Sequence, residues 1–427
     1  MDNSLDLYLD GVPAGTVQQD SNGKVSFSYL EHYQDSDHAY PLSLSMPLAR
    51  RVHAPKATSA FLWGLLPDRE ETLLRIARNY GCSPRNAVAL LANTGRDAAG
   101  AVQIMPRGSA APDSRPRESN VRRLDPEEFR SILHSLVDNE KDWDPGENTG
   151  RWSLAGAQSK VALFRFDDGG WGVPDDSTPT THIVKPAIDT GRRHAVDEYL
   201  SLEAARRLGM AVASAELIID DYAGPVFVTR RYDRVRSANG RWTRVHQEDL
   251  CQALSVHPVK KYQSDGGPGV AEVSGLFKQL PDISDQRSSA RRFFDALVFN
   301  TAICGTDAHA KNYSLLISPN RITLAPLYDI ASMLPYNPTG SPALAMKMGG
   351  EYKFSRIGRE QLLAAARTLS IPTEEASASI DRIRGGAAAA FADAARDIPE
   401  QSLADEALSM ANAIHCNAVE RGYLESD

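Results

Sequence analysis

Cysteine is scarce in this chain. Four residues in 427 (Cys82, Cys251, Cys304, Cys416) stand far apart, with no CxxC pair. That spacing excludes a zinc finger and a dense disulfide scaffold, and it fits buried thiols in a reducing compartment. An excess of positive charge is lacking too. Lys+Arg number 47 against Asp+Glu 55, a formal net charge of −8, which argues against a protein that wraps nucleic acid unaided. Contact with DNA through a basic partner stays open. No apolar run approaches the roughly 20 residues that a spanning helix needs. The opening Met1-Asp2-Asn3-Ser4-Leu5-Asp6 has neither the basic nor the apolar region of a secretory signal. The expectation is a cytoplasmic protein with no membrane association.

What is present is ordinary for a globular chain: 42% hydrophobic and 24% charged residues. At this length two or three domains are expected. Alternation at Leu5–Leu9, Val12–Val17 and Val25–Tyr29, with an Asn22-Gly23 turn, predicts a small antiparallel sheet. Helical spacing follows, and Pro67-Asp68 is read as a helix start, with Gly81 as its end. Residues 106–120 read as a linker. Beyond it come a helix over 126–137, a Gly- and Asp-rich stretch at 142–150, and strands at Val161–Phe166, His182–Lys185, Ala215–Ile219 and Val226–Arg230. A helix over Val196–Leu208 separates the second and third strands. Residues 287–303, 359–369, 373–396 and 401–420 all carry helical periodicity. These patterns divide the chain into 1–106, 122–246 and 247–427, mixed α/β first and mostly helical last. Unlike lobes suggest a ligand cleft between them.

The stretch Asp307-Ala308-His309-Ala310-Lys311-Asn312 has the spacing at which an Asp can take a substrate hydroxyl's proton while an Asn oxygen binds magnesium. Alone, that spacing also suits a helix-capping Asp followed by a turn Asn. A second signal strengthens it. Asp329 follows seventeen residues after Asn312, across Tyr313–Ile317, a Ser318-Pro319-Asn320-Arg321 turn and Ile322–Leu324, which read as a hairpin. One carboxylate, one amide oxygen and ATP phosphates suffice for Mg2+. Lys185 ends a short apolar strand. It suits a phosphate cation, or merely a solvated strand edge, and Glu198 or Glu203 on the next helix could pair with it. Ser153-Leu154-Ala155-Gly156-Ala157-Gln158-Ser159-Lys160 is rich in small residues, which let backbone N–H groups approach an anion. It is neither GxGxxG nor Walker A.

These segments in this order, together with Gln247-Glu248-Asp249, Leu65-Leu66-Pro67-Asp68 and Gly100-Ala101-Val102-Gln103, resemble the HipA family from about residue 5 to at least 390. The resemblance implies an α+β, bilobal protein-kinase-like fold and a serine/threonine kinase toxin of a toxin–antitoxin system. It also implies a small helix-turn-helix antitoxin as partner, operator DNA reached only through that antitoxin, and an aminoacyl-tRNA synthetase as one possible substrate. By motif position Asp307 is the catalytic Asp, with His309 and Lys311 flanking the transferring group. Asn312 and Asp329 hold the metal. Lys185 and residues 153–160 hold the ATP phosphates, with Ser153 as an autophosphorylation site. In the hinge, backbone near Arg230 and Tyr232 holds adenine, with Asp233 near the ribose. Ser159 and Arg230 depart from the acidic residues that many members carry there.

Two other readings remain. A metal-dependent hydrolase would use Asp307, His309 and Asp329, with His246 and Asp249 as further candidate ligands. A catalytically idle module would act only as co-repressor with a DNA-binding partner.

Overall fold

The computed structural model describes residues 4–112, 118–138, 152–175, 177–187, 192–338, 340–398 and 400–424. The Gly- and Asp-rich stretch 142–150 and Arg151 lie outside them. The chain divides into two compact units. One comprises Met1–Ile188, Ile218–Val259 and Leu316–Asn320, the other Asp189–Leu217, Lys260–Leu315 and Arg321–Asp427.

The first unit begins with the expected meander. Strands Ser4–Leu9, Val12–Gln19 and Val25–Tyr29 lie in a five-stranded sheet, ordered Val52–His53, Val25–Tyr29, Val12–Gln19, Ser4–Leu9, Val102–Pro106. Period-two alternation turns Leu5, Leu7 and Leu9 inward, all at most 3% exposed. Helices Pro55–Gly64 and Ala87–Thr94 supply Phe61, Leu62, Leu90 and Leu91 to the same core. Pro67-Asp68 does not start a helix. The helix runs Glu70–Asn79 with Arg69 as N-cap, and Pro67 instead bridges Gly156 in parallel, with the Asp68 N–H donating to the Gly156 carbonyl at 3.1 Å. A tertiary hydrogen bond has taken the backbone group that the local pattern offered to a helix.

A six-stranded sheet follows, ordered Ala215–Asp220, Gly224–Arg230, His182–Pro186, Val161–Arg165, Trp171–Pro174, Val121–Arg123. Its edge strand belongs to this unit from Ile218 onward. His182–Pro186 is interior, antiparallel to both neighbours, with Lys185 opposite Phe227 and Ile183 opposite Ala162. Two strands, Val121–Arg123 and Trp171–Pro174, were not legible because each is only three or four residues long. Trp171 stacks on Phe129 of helix Pro126–Asp138, ring centroids 5.2 Å apart.

The second unit is mostly helical. Its helices Arg192–Arg207, Ile283–Ala302, Arg359–Thr368, Thr373–Arg396 and Gln401–Glu420 fall within four residues of the expected bounds. Asp282 caps Ile283–Ala302 by accepting from the Ser284 and Asp285 N–H groups. Phe293, Phe294, Leu297 and Val298 of that helix are all at most 1% exposed. In the alanine-rich patch of Thr373–Arg396, Ala387, Ala388 and Ala390 are buried and Ala389 is exposed, and Phe391 stacks on Phe299. At Gly386 a Cβ would stand 2.7 Å from Leu208 Cδ2, so glycine permits this close approach. Among the described residues no helix is long and apolar enough to cross a membrane.

Candidate active site

The small-residue loop is pinned at its start and middle to the N-terminal subdomain. Trp152 bridges Asp97, the Ser153 N–H donates to the Asp97 carbonyl at 3.1 Å, and Ser153 Oγ donates to the Leu65 carbonyl at 2.7 Å. Ser153 is only 1% exposed. Gly156 adopts φ +110°, and a Cβ there would stand 2.2 Å from Lys160 Nζ. Only glycine lets the lysine ammonium lie against the loop backbone. Ala155, Gly156 and Gln158 are half-buried and Ala157 is exposed, while Leu154 and Lys160 are buried. Ser159 is buried and donates to the Leu136 carbonyl at 3.0 Å.

Lys185 is no solvated edge charge. It stands on an interior strand, is 7% exposed, and lies 5.4 Å from the Phe227 ring centroid, within cation–π range. Arg230 is exposed at the end of its strand, opposite His182. Tyr232 donates its hydroxyl to Gln247 Oε1. The Asp233 carboxylate is wholly engaged within the protein. It accepts from Arg231 at 3.0 Å, the Gly100 N–H at 2.8 Å and Gln247 Nε2 at 3.1 Å, and Arg234 lies 3.0 Å away.

Those contacts belong to a buried ion cluster that no local pattern announces. Asp97 receives Arg231 (3.3 Å), Arg234 (2.8 Å), Arg244 (2.9 Å) and the Thr180 hydroxyl (2.6 Å). Burial alone would raise the Asp97 pKa, but Arg234, Arg244 and Arg231 hold it far below the ordinary carboxylate range. Gln247-Glu248-Asp249 is likewise structural. Gln247 binds Asp233, Glu248 accepts from the Leu44 N–H at 2.8 Å, and Asp249 forms a capping box with Gln252.

In the second unit the catalytic-loop candidates are assembled by backbone geometry. Helix Ile283–Ala302 ends at Ile303, and Cys304 turns with φ 55°. The Asp307 carbonyl then accepts from the His309 N–H and from Asn312 Nδ2, both at 2.8 Å. Spending the Asn312 amide nitrogen in this way leaves its Oδ1 as the side chain's acceptor. The Asp307 side chain is 63% exposed. His309 is buried, with Nε2 3.8 Å from Asp307 Oδ1. Burial first, and then Lys261, lower the His309 pKa against the opposing pull of Asp307 and Asp329, so the ring is neutral at pH 7. Its Nδ1 is buried with no hydrogen-bond partner among the described residues.

Asp329 sits in a left-handed turn, φ 56°, with its side chain exposed. The turn is held on both sides. Before it, the Tyr328 hydroxyl donates to the Lys311 carbonyl at 2.8 Å and contacts Ser314 Oγ at 2.6 Å. After it, the Ser332 N–H donates to the Asp197 carboxylate at 3.0 Å, and Ser332 Oγ donates to the Ile303 carbonyl. Burial pushes the Asp197 carboxyl up to about 7. Lys311 is buried. On helix Arg192–Arg207, Glu198 is 2% exposed, and Glu203 is taken up by Arg206.

Tyr262 went unseen in the sequence. Its hydroxyl donates to Asp307 Oδ1, and its ring meets His309 edge-on at 4.9 Å. A lone tyrosine ahead of a Gly-rich turn carries no local signal of this. The hydrolase reading loses its extra ligands. His246 donates from Nε2 to the Leu42 carbonyl, Asp249 is a helix cap, and among the described residues no group of three His, Cys, Asp or Glu could hold a metal.

Comparison with known proteins decides the family. The HipA-like C-terminal domain family matches residues 152–391, and the HipA N-terminal domain family matches residues 5–105. The chain belongs to the HipA family. It is similar to a protein named putative kinase Y4mE of Sinorhizobium fredii, 35% identical over 81% of this chain and 80% of that one. It is also similar to the serine/threonine-protein kinase toxin HipA of Shewanella oneidensis, 27% identical over 89% of this chain and 86% of that one. A solved structure of HipA from Shewanella oneidensis, in complex with HipB and operator DNA, superposes with TM-score 0.82 at 24% identity, covering 97% of each chain. This HipA-family chain thus has the expected α+β, protein-kinase-like fold, and its relatives bear out the expectation of a serine/threonine kinase. Helix Gln401–Glu420 lies beyond the matched span.

Proposed function

We propose that this chain transfers the γ-phosphoryl group of Mg·ATP to a serine or threonine hydroxyl of a protein, and acts as the toxin of a toxin–antitoxin pair. The carrying observation is the pinned Asp307–Asn312 segment with Asp329 held in a strained turn beside Tyr328, which is tied back to Lys311. Asp307, exposed and oriented by Tyr262, accepts the proton of the attacking hydroxyl. Neutral His309 and buried Lys311 flank the transferring group. Asn312 Oδ1 and the Asp329 carboxylate are hard oxygen donors and fit Mg2+, which supplies charge neutralisation on the phosphates when bound.

Lys185 and the 153–160 loop bind the ATP phosphates, and backbone near Arg230 and Tyr232 holds the adenine. Asp233, buried and bonded to Arg231, Gly100 and Gln247, braces that segment next to the ribose. The loop geometry also supports regulation at Ser153. Its hydroxyl is buried and bonded to Leu65, so phosphorylation requires the loop to leave its seat. A phosphate of about −1.5 to −2 charge would then oppose its return beside the ATP phosphates.

A small helix-turn-helix antitoxin is the proposed partner, with operator DNA reached only through it. The net charge of −8 and the HipB and DNA components named for the Shewanella structure support this. An aminoacyl-tRNA synthetase is the proposed substrate class. The test is labelled ATP with whole-cell lysate. Wild type should label a protein band and arrest growth when expressed alone, and Asp307→Ala should do neither. A folded wild type that transfers no phosphate would overturn the reading and leave the idle co-repressor.

A further inference from the structure

Outside the residues assigned above, the helical unit contains a cavity of about 720 Å3 lined by Arg359, Asp381, Arg384, Gly385, Arg421 and Tyr423, among others. Its volume is that of a small-molecule site. Two guanidinium groups are gathered here. Arg384 Nη2 and Arg421 Nη2 both donate to the Ile357 carbonyl, at 3.3 and 2.7 Å. Among the described residues neither makes an ion pair. The exposed Asp381 is paired with Arg359, and Glu420, also exposed, lines the rim.

Arg384 is the telling residue. It is 7% exposed, and its Nε is buried with no hydrogen-bond partner among the described residues. Burial first, and then the like charges of Arg421 and Arg359, disfavour its charged form against the opposing pull of Tyr423 and Asp381, although arginine keeps its proton in proteins. The Arg384 guanidinium is nevertheless held in place, 4.4 Å from the Tyr423 ring centroid. Arg421 is fixed more firmly still. It lies 4.4 Å from the Phe354 ring and bonds Tyr423 Oη, the Phe354 carbonyl and the Ile357 carbonyl. A buried cation left without an ion pair is costly, and the cost is relieved by an anion. Arginine's planar fork suits the oxygens of phosphate better than a point charge does. The cavity exceeds inorganic phosphate, so there is room for the group that carries it.

We propose that this cavity binds the phosphate group of a small-molecule phosphate monoester, at a site separate from ATP, with the Arg384 and Arg421 guanidinium groups supplying the positive charge. The proposal stands whether or not the kinase residues assigned above are correct.

The test is calorimetric titration of the full chain with inorganic phosphate, AMP and ribose 5-phosphate. Magnesium and a non-hydrolysable ATP analogue are kept saturating, so that the nucleotide site is filled. Saturable binding is expected for phosphate and tighter binding for at least one ester, and which ester gains shows whether the attached group is a nucleoside or a sugar. Arg384→Met should weaken binding at least tenfold. If that variant does not fold, Arg384→Lys, which keeps the charge but loses the fork, and the exposed Arg359→Ala are judged by the same loss. No saturable binding to folded wild type overturns the proposal, as does unchanged affinity in the arginine variants.

Discussion

The Tyr262 hydroxyl donates a hydrogen bond to the Asp307 carboxylate from a position 45 residues earlier in the chain. The same ring meets His309 edge-on, so one side chain orients two members of the proposed catalytic segment. Tyr262→Phe keeps the ring contact and deletes only the hydrogen bond. Steady-state phosphoryl transfer should show kcat reduced about tenfold, with the KM for ATP changed less than twofold, the pattern of an interaction made in the transition state. An unaltered kcat would remove Tyr262 from the mechanism.

Asp307 and Asp329 should fail differently. Asp307→Ala should abolish transfer while Mg·ATP still binds. Asp329→Ala should abolish transfer and also weaken the magnesium-dependent part of nucleotide binding. Calorimetry with and without magnesium separates the two, and near-wild-type transfer by either variant would show the site to be misassigned.

Gly156→Ala combines an unfavourable φ of +110° with a Cβ placed 2.2 Å from Lys160 Nζ. The lysine end is flexible and can move, but only by leaving the loop. ATP affinity should fall about tenfold while the melting temperature stays within a few degrees. Equal affinity would mean that the loop holds no phosphate.

The Asp97 cluster should dominate the stability of the first unit. Asp97→Asn leaves Arg231, Arg234 and Arg244 undercompensated in a buried site, a change that costs about 3–5 kcal/mol. The sign with pH follows from a folded pKa far below the unfolded value of about 4. The carboxylate's contribution is complete above pH about 4 and is lost as pH falls below it, when the unfolded chain binds the proton first. Urea denaturation should therefore show the deficit of Asp97→Asn undiminished from pH 7 to 5 and shrinking towards pH 2. A deficit that grew on acidification would contradict the assignment.

Phosphorylation of Ser153 should weaken Mg·ATP binding by at least tenfold, because the modified side chain cannot return to its bond with Leu65. Mass spectrometry after incubation with ATP, followed by calorimetry on the separated forms, measures it. Equal affinities would leave the buried serine a structural one.

The long helices, the first meander and the interior strands around Lys185 could be read from the sequence, because helix and strand each impose a short-range period on buried residues. Asp307, Asn312 and Asp329 were legible as candidates for a related reason: their spacing along a short loop and the two strands after it is a local pattern. The start of helix Glu70–Asn79 was not legible. Pro67-Asp68 carries the usual start signal, and only pairing with Gly156 shows why it is spent elsewhere.

The sequence by itself determined the motif residues and the order of mixed sheets before helices. Tertiary structure alone decided that Tyr262 orients Asp307, that Asp233 is a buried counterion, and that Arg384 and Arg421 stand together. Arg231 and Arg234 reach Asp97 across 134 and 137 residues of chain. No local pattern encodes such a pairing, because its stability comes from desolvated charges that meet only once the core around them has closed.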